Sequence, residues 1–282
     1  MSERNKFIIY LFQGFALLIL SWSFSMTASA DLLLTAPPRE SAFAGKAVYQ
    51  PFADHLTKIL GQKVTYEHPR TWVEYKKNMQ LKKYDIIFDG PHFAAWRIKQ
   101  GMAQPLVKLS GNLEFILITK NADSQINSVA SLVGEKVCVL PSPNLGTLYL
   151  YSMYPNPMQQ PKFQFTVVGG PKAVANAFLA DKCRGAFLPK YYYLSKLTDK
   201  QRSEIRIMAK SKGVTNQGIT VSNKITQEAR KRIIHSLTQP DGQLAVKAII
   251  KRFANGSGSF KVASLKDYQS YNLLQENMIF GW

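Results

Sequence analysis

Cysteine, histidine and catalytic motifs are all scarce in this chain. Two cysteines and four histidines are spread over 282 residues, with wide gaps between them. Such spacing does not make a zinc site, which usually needs paired ligands a few residues apart. The sequence also has no Gly-x-Ser-x-Gly elbow, no His-Glu-x-x-His pair and no phosphate-binding loop ending in Gly-Lys-Ser/Thr. We therefore expect no enzymatic activity, no metal and no cofactor.

Long apolar runs are absent beyond the N-terminal segment. Residues 7–20 are almost entirely apolar, and the basic residues Arg4 and Lys6 precede them. Together with a small-residue site ending at Ala30, this pattern is typical of a secretory signal peptide. An uncleaved membrane anchor is the alternative, although the run is short for a span. We expect a cleavable signal over residues 1–30 and a periplasmic mature protein, without a lipid anchor because no cysteine follows the signal.

Acidic residues are few compared with basic ones. The chain has 18 Asp and Glu against 36 Lys and Arg, a formal net charge of +18. A field of this sign favours anionic ligands, anionic membrane surfaces or acidic partners. Nucleic acid is the usual partner of a basic protein, but an exported chain rarely meets it, so we expect no nucleic acid. A well-solvated basic surface is the alternative, and charge alone does not distinguish these cases.

Short apolar strands and amphipathic helices alternate along the rest of the chain. Strands are predicted at 32–35, 63–66, 84–88, 115–119, 136–140, 163–168 and 185–188. Helices are predicted at 48–60, 71–81, 93–99, 144–151, 172–180, 227–237, 242–253 and 265–278. This order predicts an α/β fold in which a mainly parallel sheet is flanked by helices.

The strand–helix pattern restarts near the middle of the chain, which predicts two lobes. The chain is expected to pass between them at about residues 113–120 and 213–223. The predicted division is a signal peptide at 1–30, lobe 1 at 31–114 and 220–282, and lobe 2 at 115–219.

The strand at 84–88 runs directly into the turn formed by Asp89, Gly90, Pro91 and His92. Ligands of open α/β sheets bind beyond the carboxyl ends of strands, where such turns lie. Gly90 allows close approach of the backbone. We therefore predict that Asp89, Gly90 and His92 contact a ligand, although a lone histidine is more often a surface or capping residue.

A charged loop follows the first strand in the same way. Arg39 can clamp a carboxylate or phosphonate through two parallel hydrogen bonds, and Ser41 adds a hydroxyl group. Both are candidate ligand-binding residues because they follow the carboxyl end of a strand. The alternative is an ordinary solvated loop.

The two cysteines are candidates for a disulfide bond. Cys138 lies in one predicted strand and Cys183 precedes another. Disulfides form in oxidising compartments, and a bridge is reachable if these strands are neighbours. Two separate buried thiols are the alternative.

Three stretches of the chain resemble one protein family. They are Tyr49-Gln-Pro-Phe-Ala-Asp-His-Leu-Thr-Lys-Ile-Leu-Gly-Gln-Lys-Val64, Tyr84-Asp-Ile-Ile-Phe-Asp-Gly-Pro91 and Leu132-Val-Gly-Glu-Lys-Val137. In their order along the chain and in their residue types, these stretches resemble the phosphonate-binding (PhnD-like) substrate-binding proteins of ABC transporters. The resemblance implies the type 2 periplasmic binding protein fold and a ligand cleft between two lobes.

The resemblance also implies further cleft residues. Trp72 lies near an aromatic of the family's cleft, with core packing as the alternative, and Lys172 roughly matches a cleft-facing position, with a surface lysine as the alternative. Where phosphonate binders have a hydroxyl-rich turn, this chain has Ser142, Asn144 and Thr147, which retain some donors at a helix N-terminus.

Two further candidates come from the residues themselves. Tyr191 belongs to an aromatic patch that follows a predicted strand, and at most one or two of the three consecutive tyrosines can line the cleft. Asn216 lies on the return crossing, where it could make a hinge contact.

These observations favour a periplasmic protein that captures a small, anionic solute between two lobes for an ABC permease. An extracytoplasmic protein that senses a ligand and regulates a membrane signalling partner is the alternative. An exported hydrolase is the least favoured, since no nucleophile and base can be named.

Overall fold

The protein is described here from a computed structural model. The structure describes residues 30–166, 169–254 and 258–271. The predicted signal peptide and the end of the predicted last helix therefore lie outside the described residues. No helix in these ranges has the length and apolarity needed to cross a membrane.

The first sheet has six strands, in the order β13-β4-β12-β3-β1-β2. Its three consecutive parallel strands and their helices follow the predicted alternation: β1 Leu32–Thr35, α1 Ala42–Leu60, β2 Val64–Glu67, α2 Trp72–Gln80, β3 Ile86–Asp89 and α3 Pro91–Lys99. The other elements of this lobe are β4 Ala103–Leu109, β12 Gly218–Ser222, α8 Gln227–Thr238, α9 Pro240–Ala245, α10 Lys247–Phe253 and β13 Phe260–Val262. We call this part lobe 1.

The second sheet has five strands, in the order β10-β6-β9-β7-β8. Its elements are β6 Phe115–Lys120, β7 Lys136–Val139, α4 Leu145–Ser152, β8 Lys162–Phe165, α5 Gly170–Leu179, β9 Gly185–Pro189, α6 Lys190–Lys196, α7 Asp199–Ser203 and β10 Ile205–Lys210. Strand β7 is parallel to β8 and β9, whereas β6 is antiparallel to β9 and β10. We call this part lobe 2. The α/β fold with two lobes is as predicted, but the sheets are mixed and not mainly parallel, because β4, β12 and β13 in lobe 1 and β6 and β10 in lobe 2 pair antiparallel.

A short antiparallel ribbon lies where the chain passes between the two sheets. It pairs β5 (Asn112–Leu113) with β11 (Val214–Thr215). Both passages are shorter than predicted, because much of each predicted segment is sheet. In particular, β12 inserts antiparallel between β3 and β4.

Helix α1 shows how local sequence sets an element in lobe 1. The Ser41 hydroxyl accepts a hydrogen bond from the amide of Ala44 at 3.3 Å, so the helix begins earlier than the predicted residue 48. Gly61 ends it with a positive φ of 67°. Tyr49, Phe52 and Leu56 recur at helical spacing and are fully buried, because they form the stripe that packs on the sheet.

Strand β4 was missed by the sequence analysis. It contains Pro105, which lacks an amide donor and argues against an inner strand. In the structure β13 pairs only with the part of β4 from Val107 to Leu109, so Pro105 lies beyond that ladder. Strand β12 also shifts register between Ile219 and Thr220, where its partner in β4 changes from Val107 to Pro105.

The predicted single helix at 242–253 is divided into two helices in the structure. Helix α9 ends at Ala245 and α10 begins at Lys247, on either side of the buried Val246. The predicted helix at 265–278 is, as far as it is described, a 3-10 helix over Leu265–Tyr271.

The two cysteines lie together in lobe 2. The Cys138 and Cys183 sulfurs are 1.99 Å apart and the Cα atoms 5.7 Å apart. Cys138 is in β7, and Cys183 immediately precedes the neighbouring strand β9. Because β7 and β9 are parallel neighbours, the bridge links two adjacent strands of the sheet.

Candidate functional site

The carboxyl ends of β1, β2 and β3 lie at one edge of the lobe 1 sheet because these strands are parallel. The loops that follow them lead into α1, α2 and α3. Arg39 lies in the first of these loops, and Trp72 and His92 lie in the first turns of α2 and α3; all three are predicted ligand-binding residues.

The loop after β1 carries a group of charges that meets α10. The Arg39 guanidinium carbon lies 5.5 Å from the centroid of the Phe253 ring, and that of Arg252 lies 5.1 Å from it. Arg252 Nη2 also forms an ion pair with Glu40 Oε2 at 2.7 Å. Two guanidinium groups therefore lie over a single aromatic ring, and one of them is paired with a carboxylate.

A buried tyrosine adjoins these charges. Tyr49 is fully buried in α1, and its hydroxyl lies near the Arg39 side chain without forming a hydrogen bond of full geometry among the described residues. Burial raises the pKa of Tyr49, the charge of Glu40 raises it further, and Arg39 and Arg252 oppose the shift. The hydroxyl therefore stays protonated and can donate a hydrogen bond.

The Asp89 carboxylate is occupied by hydrogen bonds within lobe 1. Its carboxylate accepts two hydrogen bonds from Arg97, at 2.6 and 2.9 Å, and a third from the Tyr75 hydroxyl. Arg97 also donates to Thr220 in β12 at 2.7 Å. Asp89 and Arg97 are almost completely buried, so this carboxylate is used in joining β3, α3 and β12.

Gly90 and His92 lie where lobe 1 meets lobe 2. The His92 Nε2 atom is 3.0 Å from the carbonyl oxygen of Pro143 in lobe 2. A carbonyl can only accept, so Nε2 is the protonated nitrogen of this bond. A Cβ atom at Gly90 would lie 2.7 Å from the His92 ring, so only glycine fits beside it.

The environment of His92 keeps its ring neutral. Burial lowers the pKa of His92 to about 4, and the positive charges of Arg39 and Arg97 act in the same direction. Asp89 and the Pro143 carbonyl oppose the shift without cancelling it. Because Arg39 acts on this ring, the charged loop and the contact between lobes belong to one region.

Trp72 lies in an aromatic cluster. Its ring is stacked with that of Phe93 at a centroid distance of 6.0 Å and meets Tyr75 edge-on at 6.1 Å. Leu148 of helix α4 packs into the same cluster. Trp72 is half-buried and borders both lobes.

The turn before α4 uses much of its polar capacity internally. The Asn144 side-chain oxygen accepts a hydrogen bond from the Gly146 amide at 2.9 Å and caps the helix. The Thr147 hydroxyl is buried and donates to the Leu140 carbonyl at 2.5 Å. Ser142 is half-buried beside them. The structure therefore brings these predicted residues together, but two of the three side chains shape the turn.

The remaining predicted residues are dispersed. Lys172 is exposed on α5, and Asn216 bonds to the backbone of Ser110 and Gln217 in the two passages between the lobes. Tyr191 is 41% exposed on α6 of lobe 2. Burial raises its pKa and Arg252 opposes this shift, so Tyr191 lies within electrostatic reach of a lobe 1 arginine.

Two residues of the site were missed by the sequence analysis. Arg252 and Tyr49 lie on helices whose sequences read only as amphipathic. The signal that could have pointed to Tyr49 is a hydroxyl on the buried face of α1. The sequence contains no such signal for Arg252, because only folding brings this residue close to Glu40.

Among the described residues, no group of three or more His, Cys, Asp or Glu side chains could hold a metal ion. The polar atoms at this edge of lobe 1 are mainly guanidinium and hydroxyl donors. Such donors can bind the oxygen atoms of an anion.

Comparison with known proteins identifies relatives by sequence pattern and by fold. A family model described as the periplasmic substrate-binding protein of the phosphonate ABC transporter matches residues 34–268. A search of curated proteins gave no match.

Solved structures show the same fold at low sequence identity. XAC2383 from Xanthomonas citri, bound to ATP, has a TM-score of 0.67 and 13% identity over 88% of this chain and 96% of its own. PhnD1 from Prochlorococcus marinus, in complex with methylphosphonate, has a TM-score of 0.64 and 15% identity over 86% and 96%. A binding protein component of an ABC phosphonate transporter from Pseudomonas aeruginosa has a TM-score of 0.59 and 12% identity over 86% and 85%.

Proposed function

Because this chain belongs to the family of periplasmic substrate-binding proteins of ABC phosphonate transporters, we propose that it captures a small oxyanion of the phosphonate or phosphate type between its two lobes. Proteins of this family bind a solute and deliver it to a permease, and they are not enzymes. Export through a signal peptide over residues 1–30 is part of the same proposal.

The observation that carries the proposal is a buried guanidinium nitrogen in the loop after β1. Arg39 Nη1 is buried, and among the described residues it has no hydrogen-bond acceptor. A buried donor without an acceptor costs about 1–3 kcal/mol. An oxyanion bound at this edge would supply the acceptor, with the charge that a guanidinium prefers.

The ligands of two fold relatives support the class of solute. PhnD1 was solved with methylphosphonate and XAC2383 with ATP. Both ligands carry oxygens on tetrahedral phosphorus. The high net positive charge of this chain would further favour such an anion.

A solute that binds between the lobes changes their arrangement, and a membrane partner can recognise that change. A solute that contacts both lobes stabilises the arrangement in which they meet, which shifts the equilibrium toward that arrangement. Among the described residues, lobe 1 already meets lobe 2 through contacts that include His92–Pro143 and the packing of Leu148 near Trp72.

Calorimetry and thermal unfolding of the mature protein test the proposal. The protein is unfolded and refolded to remove any co-purified solute, then titrated with methylphosphonate, phosphate, methanesulfonate and acetate. We expect a phosphorus oxyanion at 100 times its Kd to stabilise the protein by about 2.7 kcal/mol. If none of these anions raises the melting temperature, the proposal is wrong.

A second measurement separates transport from sensing. The loaded protein is added to proteoliposomes that contain an ABC permease and ATPase of the phosphonate type from the same organism. Solute-dependent stimulation of ATP hydrolysis supports delivery to a transporter. Anion binding without any stimulation supports the alternative, a protein that senses the anion for a membrane signalling partner.

A further inference from the structure

We propose that Glu40 determines the specificity of this cleft by accepting the acid proton of a singly protonated phosphonate or phosphate ester, while Arg39 and Arg252 hold the other oxygens. This inference rests on the proposed function and adds a chemical selection to it. A sulfonate has the same tetrahedral shape but carries no proton near neutral pH, so the site should reject it.

The Glu40 carboxylate has acceptor capacity that the protein does not use. Its side chain is 8% exposed, and it forms an ion pair with Arg252. Neither carboxylate oxygen has a hydrogen-bond donor with suitable geometry among the described residues. An ionised carboxylate can accept about four hydrogen bonds, so a bound group that brings its own proton would be stabilised here.

Donors for the other oxygens lie around the same carboxylate. Arg39 Nη1 and the Tyr49 hydroxyl are buried without a partner among the described residues. Burial is the main cause of the raised pKa of Tyr49, and the charge of Glu40 adds to it. Both arginines oppose the shift, as expected when the four groups are neighbours. The cluster thus offers several donors and one acceptor.

The packing around Phe253 holds these groups in position. Both guanidinium groups lie over its ring. The ring is itself packed edge-on against the fully buried Phe88 of β3, with a centroid distance of 5.1 Å. A rigid support reduces the entropy lost when a ligand binds, so specificity can be set by the polar groups.

The donor and acceptor pattern fits a phosphonate monoanion. The second pKa of a phosphate monoester is about 6, so the singly protonated form is accessible at neutral pH. Its P–OH group donates to Glu40, and its remaining oxygens accept from the arginines. A sulfonate would instead place an unprotonated oxygen against a buried carboxylate, and two acceptors facing each other repel.

The adjacency of the cluster to lobe 2 makes it part of the cleft. Arg39 acts on the pKa of His92, whose ring bonds to Pro143 of lobe 2. Arg252 acts on the pKa of Tyr191, which belongs to lobe 2. A Cβ atom at Gly90 would lie 3.8 Å from Arg39 Nη2 and 2.7 Å from the His92 ring, so the Arg39 end of the cluster adjoins the contact with lobe 2.

The test compares methylphosphonate with methanesulfonate, which match in size and shape. For the native protein at pH 7 we expect methylphosphonate to bind at least about 100-fold more tightly, since a site built around a ligand hydroxyl rejects an analogue without it. For Glu40→Gln we expect this ratio to fall at least about tenfold, because an amide can donate to a sulfonate oxygen.

Two further variants keep the result interpretable. Glu40→Asp retains a proton acceptor and should keep most of the discrimination, even if affinity falls. Glu228→Gln makes the same carboxylate-to-amide change at a side chain of α8 that is 73% exposed, and it should leave the ratio unchanged. Melting curves and circular dichroism identify any variant that does not fold.

The outcomes separate the two proposals. An unchanged ratio in a folded Glu40→Gln protein, or equal affinity of the native protein for both anions, overturns the role of Glu40 while anion capture stands. Absence of binding by any anion to the native protein overturns the proposed function itself.

Discussion

Lobe 1 and lobe 2 share a strand–turn–helix design but use their polar groups differently. In lobe 2 the turn before α4 directs Asn144 and Thr147 to its own backbone. In lobe 1 the loop after β1 leaves donors of Arg39 and Tyr49 without partners among the described residues. A turn that satisfies itself is stable without a ligand, whereas unsatisfied buried donors favour one. Lobe 1 should therefore supply most of the solute's charge recognition.

The lobes also differ in how neighbouring elements are joined. Lobe 1 has the buried pair of Asp89 and Arg97, with Tyr75 and Thr220 bonded to it. Lobe 2 has a bridge between Cys138 and Cys183, separated by 45 residues in the sequence. The buried ion pair stabilises the native state through its hydrogen bonds. The disulfide acts mainly by restricting the unfolded chain.

The largest effect should come from the buried pair in lobe 1. Asp89→Ala leaves the Arg97 charge buried and unpaired, which should lower the free energy of unfolding by about 3–5 kcal/mol. Urea denaturation measures the change. Glu67→Ala removes the half-buried partner of Lys83 at the protein surface and should cost at most about 1 kcal/mol. Equal losses in the two variants would show that Asp89 is not structurally special.

Removal of the disulfide should be the next largest effect, and it should be localised. The double variant Cys138→Ser/Cys183→Ser should lose about 2–4 kcal/mol of stability, because the unfolded chain regains the entropy of the closed loop. Hydrogen exchange should speed up mainly in lobe 2, with lobe 1 amides little changed. Uniform acceleration across both lobes would contradict the separation of the two devices.

The contact between the lobes should make stability depend on pH. The pKa of His92 is about 4 in the folded protein, against 6.5 for an ordinary histidine. Between these values the unfolded chain binds more protons, so stability is full above about pH 6.5 and falls as the pH decreases toward 4. The expected loss from pH 7 to pH 5 is about 2 kcal/mol.

Histidine variants isolate this contribution. His92→Gln should lose most of the pH-dependent part of the stability curve, measured by denaturation at pH 5 and pH 7; the remainder is expected from His55, whose pKa is also lowered by burial. His235→Gln, at an exposed position on α8, serves as the control and should keep it. A native-like slope in the His92→Gln protein would place the pH dependence elsewhere.

The smallest effect concerns which lobe binds the charge. Arg252→Gln should weaken methylphosphonate binding about tenfold, because a charge-assisted hydrogen bond is lost. Arg232→Gln makes the same change on α8, where Arg232 donates to the Ile59 carbonyl near the other end of α1, and it should bind normally. Calorimetry measures both. If Asn144→Ala weakens binding while Arg252→Gln does not, lobe 2 holds the anion instead.

Much of the fold could be predicted because its signals are local. Thr71 caps α2 by accepting from the Glu74 amide at 3.1 Å, as its spacing in the sequence indicates. Apolar residues at helical spacing and short apolar runs identified the repeating strands and helices, since each depends on a few neighbouring residues. The order of these elements was enough for the α/β class and for two lobes.

The site could be predicted only in part. Arg39 and the Gly90 turn follow strand ends, and parallel strands bring their ends to one edge. The sequence could not show that Asp89 would be consumed by Arg97 and Tyr75, because that depends on how α2 and α3 pack on β3. Which polar group is left for a ligand is decided after the protein's own hydrogen bonds are made.

By itself the sequence determined the strand and helix periods, the caps, the excess of positive charge and the positions of the two cysteines. Only the tertiary structure decided that β12 lies between β3 and β4, and that α10 carries Arg252 to Glu40. The physical reason is that periods and caps depend on contacts within a few residues. The pairing of distant segments depends instead on the burial of apolar faces such as the one on which Phe253 meets Phe88.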